Sequence, residues 1–330
     1  MDGAWRRGTR CVSAVEAGGR HKWRGAPKQA AKLADLQAHL AAAAAQGDTH
    51  SQLASIEAFA SGRARWLKLA AGDKAFVLAE ALWSRCRSAE AAAPCEVALE
   101  LGGFVGFSAL RLARALAQAA EGREVPLARV ISMEKDTGCA LLAASMLSSA
   151  QCASAAEMWA GRAADLLPRV LEECGARSVG FAFFDHSGSV YHEDLAALEE
   201  LDLLAPGAVI VADNVLKPGA PLFLWHVLSA EYDVSLISVR EFVQTSIEDW
   251  VAVCVWRGNQ PSGAGPQRAP APLGLARLAW QADIMRRRSE RSGVSVHEWA
   301  SFAQQMHRAL RQYGIEATPW RASVSAELKA

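Results

Sequence analysis

The sequence has no net charge, with 35 basic and 35 acidic residues, no CxxC pair, and no apolar run approaching the 18 residues needed to cross a bilayer. The last absence excludes a membrane-spanning helix. Its N-terminus, basic and poor in acids over residues 5–13, lacks the apolar region of a secretion signal and fits organelle targeting at most, so the cytoplasm is the expected compartment. The seven cysteines, at 11, 86, 95, 139, 152, 174 and 254, are odd in number, and several sit inside apolar runs. They read as buried free thiols in a reducing compartment. There is no internal repeat and no Gly-x-Gly-x-x-Gly, which argues against a dinucleotide-dependent oxidoreductase.

What is present is a 330-residue chain, 51% hydrophobic, long enough for one large core. Its charge is unevenly spread. Residues 1–32 hold eight bases against two acids and residues 257–330 eleven against five, leaving an acidic body of 16 bases and 28 acids. Such a body argues against a nucleic-acid-binding core.

Ala-rich stretches at 28–60 predict two leading helices, and a third runs from about 73 to the break at 90–94. Apolar runs of strand length then alternate with helical stretches. Strands are expected at 96–101, 128–134, 179–185 and 207–212, with a weaker one near 154–158; helices fall at 107–120, 136–149, 162–174 and 191–203. The alternation predicts a doubly wound, mostly parallel α/β sheet covered on both faces. Strands at 232–239 and 250–256, with no helix between them, add an antiparallel edge pair and make seven strands. A Gly/Pro-rich linker at 258–266 precedes a basic helical tail over 275–312. That tail either packs back through Leu278, Ile284 and Trp299 or serves as an interaction arm. The expected division is 1–50 as an N-terminal extension, 51–258 as the main domain and 259–330 as linker and C-terminal extension.

Ligands of open α/β sheets sit outside the carboxyl ends of the strands. The first such end reads Glu100-Leu-Gly-Gly-Phe-Val-Gly-Phe-Ser108, a strand, a glycine turn and a helix start. Its glycines permit close backbone approach and its free N–H groups favour a polar ligand, while Glu100 would repel a pyrophosphate and suit a cation such as a methionine amino group. Glu134 closes the second strand, where it either accepts ribose hydroxyls or sits beside a helix N-cap. At the third and fourth ends, Asp185, Asp213 and Asn214 bring three hard oxygen ligands together, which suits an octahedral Mg²⁺. The loop after Asp185 carries no Lys or Arg through Tyr191, so a metal is a candidate for the missing cation.

These residues resemble the catechol O-methyltransferase family, the metal-dependent branch of the S-adenosylmethionine methyltransferases. The resemblance covers roughly residues 66–258 and rests on residues 100–108, Glu134, Gly161 with 165–168, Asp185-His186, Tyr191, 212–215, 217–221 and Gly72-Asp-Lys74. It implies a Rossmann-like methyltransferase fold and transfer of a methyl group to a hydroxyl of a small catechol-like phenol, with S-adenosylmethionine and Mg²⁺ as cofactors. It implies that Gly102, Phe104 and Ser108 line the cofactor, next to Glu100 and Gly106, that Glu134 holds the ribose, and that His186 flanks the adenine beside Asp185. Asp185, Asp213 and Asn214 would chelate the metal, and Pro218 and Pro221 would wall the acceptor pocket. The chain departs from the family at Gly188, where a general-base Lys is usual, at Ser187, where an aromatic is usual, and at Ala163-Ala164, where a polar pair is usual. Glu241 is the candidate for the acid that binds the second hydroxyl, and His192 a candidate replacement base. The departures keep open a pseudoenzyme that works as a binding or interaction protein through its basic extensions.

Overall fold

The computed structural model describes residues 26–44, 49–62, 64, 66–88, 96–121, 127–150, 152, 154–228, 232–258 and 270–320. The N-terminal segment read for targeting and most of the Gly/Pro linker lie outside these residues, as do Cys11 and Cys95. The other five cysteines form no disulfide, and three of them are buried.

Apolar side chains alternate along the central strands because successive residues of a strand face opposite sides of the sheet. Phe181 and Phe183 of β4 (Val179–Phe184) join one core, while Ala182 and Phe184 join the other. The same split holds for Val209 and Val211 against Ile210 and Ala212 in β5 (Leu204–Ala212). Two cores of this kind require helices on both faces. One face is covered by α1 (Ala26–Ala44), α2 (Thr49–Gly62), α3 (Asp73–Arg87), α4 (Phe107–Ala120) and α5 (Thr137–Ser149). The other is covered by α6 (Ala163–Cys174), α7 (Tyr191–Glu200), α8 (Pro221–Leu228), α9 (Leu273–Arg291) and α10 (Val296–Arg311).

The sheet runs in the order β3-β2-β1-β4-β5-β7-β6-β8, with β1 (Glu96–Leu101), β2 (Leu127–Glu134), β3 (Ala156–Ala160), β4 and β5 parallel. β7 (Glu248–Trp256) runs antiparallel to β5 and to β6 (Tyr232–Arg240). All seven expected strands are present, in the expected sense, and the boundaries of β1 and α4 coincide with the sequence reading. An eighth strand, β8 (Thr318–Pro319), pairs parallel with β6 at the edge, and α8 was not foreseen. The strand order reverses between β1 and β4, the switch point outside whose carboxyl ends ligands of open α/β sheets sit.

The basic tail folds back as two helices, not one. Leu275, Met306 and Leu310 are buried in the second core with Ile315, Trp299 is 5% exposed, and Leu278 packs partly against the core. Ile284 is no anchor: at 43% exposed it faces outward. α9 lies against α8, both helices lie against the turn at 215–219, and α10 also touches β7.

Candidate active site

The glycine turn after β1 is shaped by what crowds it. A Cβ on Gly102, whose φ is +104°, would stand 2.7 Å from the backbone nitrogen of His186 and 2.8 Å from the carbonyl oxygen of Asp185. A Cβ on Gly103 would stand 2.1 Å from the Ser132 hydroxyl. Glycine is therefore required where the β1 turn meets the β4 loop. Gly106 has a different reason, since its Cβ would meet Ala143 at 2.9 Å; it lets α4 and α5 pack closely. Phe104 is held in the left-handed region at φ 44° by its N–H, which donates to Glu134 Oε2 at 2.9 Å. Glu134 Oε1 accepts from the Asp136 N–H at 2.7 Å, and Asp136 caps α5. Glu134 thus ties two turns together at the carboxyl end of β2.

Beneath the turn lies Glu100, fully buried. The Ser132 hydroxyl donates to its Oε2, and Oε1 has no hydrogen-bond partner. Burial pushes its carboxyl up to about 7, against the pull of the Ser108 and Ser132 hydroxyls. An orphaned buried carboxylate oxygen under a glycine cradle is what a bound ammonium group would complete. These residues fit S-adenosylmethionine. His186 is fixed at both ring nitrogens, Nδ1 3.0 Å from the Leu101 carbonyl and Nε2 2.6 Å from Asp194, so it can offer only its ring face to a ligand.

Acids at the ends of β5, β6 and β7 converge on Lys74, at the start of α3. Its Nζ lies 2.8 Å from Asp213 Oδ1, 3.0 Å from Asp249 Oδ2 and 3.6 Å from Glu241 Oε1. Asp249 is fully buried and organises the rest. Its Oδ1 accepts from the backbone N–H groups of Lys217 and Trp250, and its Oδ2 accepts from Asn214 Nδ2 at 2.6 Å. That bond, with the Asn214 N–H donating to Asp213 Oδ1, holds Asn214 at φ 57° and leaves its amide oxygen unengaged. Lys217 Nζ pairs with Glu241.

The electrostatics follow from this crowding. Burial and the nearby Asp213 push Asp185 well up, and burial pushes Asp213 up to about 6 although Lys74 opposes it. Burial alone would raise Glu241, but Lys74 and Lys217 override it and hold it at about 2. Four carboxylates, Asp185, Asp213, Glu241 and Asp249, face three ammonium groups, Lys74, Lys217 and the more peripheral Lys68, so acids outnumber bases here by one. Asp213 Oδ2, the Asn214 amide oxygen and the Asp185 carboxyl are free of hydrogen bonds among the described residues. This donor set and charge deficit fit a hard divalent cation. No cluster of three or more His, Cys, Asp or Glu suited to a metal occurs among the described residues.

The structure therefore brings Asp185, Asp213, Asn214 and Glu241 to one place. It does not bring His192 there. The charged neighbours of His192 are Glu193, Asp194 and His226, its Nδ1 is buried without a partner, and burial pushes it down; α7 turns it toward α8. Lys74, Lys217 and Asp249 were missed as site residues. Asp249 had a signal, an acid abutting an otherwise apolar strand, and Lys74 had the Gly72-Asp-Lys motif.

Residues 99–215 match a family described as "Methyltransferase domain". The chain is 31% identical to catechol O-methyltransferase of Mus musculus over 203 residues, 62% of this chain and 69% of that protein. The chain belongs to the catechol O-methyltransferase family. It is 35% identical to the Sus scrofa catechol O-methyltransferase over 131 residues, 40% of this chain and 66% of that protein, just under two thirds of its length. Among solved structures, an O-methyltransferase from Bacillus cereus in complex with SAH shares 20% identity, covering 63% of this chain and 90% of that one, with a TM-score of 0.48.

Proposed function

We propose that the protein is a Mg²⁺-dependent, S-adenosylmethionine-dependent O-methyltransferase acting on a small catechol-like phenol. The observation that carries this reading is the convergence of Asp185, Asp213 and Asn214 at adjacent strand ends, where carboxylates outnumber ammonium groups and Asp185 feels the buried Glu100. Bound at those three oxygens, a divalent cation would supply Lewis acidity that lowers the pKa of an acceptor hydroxyl.

The chain's own residues divide the remaining work. Glu100 receives the ammonium of the cofactor's methionine end, and Glu134 the ribose. Lys74 holds Asp213 by Oδ1 and so turns Oδ2 outward, while Asp249 does the same for the Asn214 amide oxygen. Glu241, ionised because of its two lysines, accepts a hydrogen bond from the acceptor's second hydroxyl. Orientation of this kind supplies on the order of 7–11 kcal/mol of a transfer barrier. A general base typically contributes about 10² to 10⁴-fold, so the glycine at 188 slows such an enzyme without abolishing it.

Gly188 also supports a second reading, a protein that binds the cofactor and transfers nothing. Transfer of a labelled methyl group from S-adenosylmethionine to a panel of catechols, with Mg²⁺ or with EDTA, separates the two. Product with Mg²⁺ and none with EDTA is expected. Cofactor binding by calorimetry with no transfer to any catechol would leave the second reading standing.

A further inference from the structure

The position of the absent lysine is not empty space. A Cβ on Gly188 would stand 2.9 Å from the Gly219 carbonyl oxygen, 3.1 Å from Arg286 Nη2 and 3.2 Å from Ala220 Cβ. A guanidinium from the C-terminal extension therefore lies where a side chain at 188 would begin. Arg286 belongs to α9, and its side chain is 14% exposed. Nη2 donates to the Gly219 carbonyl at 3.2 Å. Nη1 is buried and makes no hydrogen bond, with only an ion pair to Asp283 at 3.5 Å. On the site side its charge acts on Tyr191, which also feels Asp185 and Asp213, and Tyr191 Oη donates to the Asp213 carbonyl at 3.3 Å. Asp283 and Glu290 balance its charge, but a buried Nη1 donor with no hydrogen bond, beside the loop that follows Asp185, is costly unless an acceptor completes it.

We propose that Arg286 is a functional residue of this site, a fixed cation delivered by α9 that stabilises the oxyanion of the phenolic acceptor in place of the base missing at Gly188. The inference rests on the acceptor class proposed above. A guanidinium stays protonated, so it cannot take the acceptor's proton. That proton leaves to solvent before transfer. The oxygen–carbon bond then forms as the carbon–sulfur bond breaks, and the electron pair passes to sulfur, turning the sulfonium into a neutral thioether. The extension is on this account part of the site, and Gly188→Lys would not improve transfer, because its Cβ meets the Gly219 carbonyl and its ammonium meets Arg286.

The test uses the full chain with Mg²⁺ and S-adenosylhomocysteine, and 4-nitrocatechol as the probe, because its phenolate absorbs in the visible. The pKa of the bound probe is read by titration for wild type, Arg286→Met, Arg286→Gln and Arg286→Lys. A rise of about one unit or more in both neutral variants, at least partly reversed in Arg286→Lys, is expected, corresponding to roughly 1.4 kcal/mol per unit. Equal pKa values in wild type and a folded neutral variant would overturn the role of Arg286 and leave the acceptor class intact. Failure of the folded, S-adenosylhomocysteine-loaded wild type to bind the probe would instead overturn the acceptor class, and the inference with it.

Discussion

At the scale of single residues, Glu100 makes the sharpest claim. Its folded pKa is raised from 4.5 to about 7, chiefly by burial. The folded state therefore holds this proton more tightly than the unfolded chain does. The stability it lends is complete below about pH 4.5 and is lost as the pH rises through about 7, a change on the order of 3 kcal/mol. Glu100→Gln carries no such charge, so urea unfolding at pH 5 and pH 8 should show a fall in the wild type that the variant lacks. Cofactor binding should run the opposite way, tightening as the wild-type carboxyl ionises and staying flat with pH in Glu100→Gln. A wild type whose stability falls no more than that of the variant would place Glu100 outside the buried environment described. The sequence exposed this residue because an acid at the end of an apolar strand, before a glycine pair, has few structural uses. Lys74 and Lys217 fall within motifs, Gly72-Asp-Lys74 and residues 217–221, but neither motif shows what the lysine pairs with. Nothing in a linear sequence says that two lysines 143 positions apart share a carboxylate at position 241.

At the scale of elements, legibility followed periodicity. The parallel strands were readable because each is an apolar run between turn signals, and α4 because its apolar spacing is helical. α8 was not, since residues 221–228 are apolar on nearly every side and open with proline, which reads as strand or loop as readily as helix. β8 pairs over only two residues, and its partner β6 lies some 80 positions earlier, so local pattern could not reveal it. The pairing of α3 with β1 was equally hidden. Arg85 and Glu96 are both fully buried, with Nε donating to Oε2 at 2.9 Å and Nη2 to Oε1, and Gly180 leaves room because a Cβ there would stand 1.9 Å from Glu96 Oε2. Arg85→Met strands the Glu96 charge in the core, and about 3–5 kcal/mol of stability should be lost by urea denaturation. The double variant with Glu96→Gln should recover much of that loss. No loss in the single variant would mean that Glu96 finds water or a proton without cost.

At the scale of the whole molecule, the question is whether the C-terminal extension is an appendage or a layer. Its net positive charge allowed both readings in the sequence, since basic surface helices serve partners as often as they cover cores. The buried side decides. Leu275, Met306, Leu310 and Ile315 are each at most 2% exposed, and burying such side chains is worth about 1.5–3 kcal/mol apiece, so four supply roughly 6–12 kcal/mol before Trp299 is counted. Trp299 also receives the ammonium groups of Lys68 at 5.8 Å and Lys217 at 5.4 Å over its ring, which ties α10 to the partner of Glu241. Cutting the chain after residue 258 relieves it of ordering two helices but uncovers the faces of α8, β7 and the turn at 215–219 on which they lie. Native domains are stable by only about 5–15 kcal/mol, so a loss of this size is not absorbed. The truncated chain should bind a hydrophobic dye and melt far below the full chain, or without a cooperative transition. A truncated chain that melts within a few degrees of the full one would make the extension an arm. The turn that carries Lys217 and Gly219 would then need some other element to hold it against the strand ends.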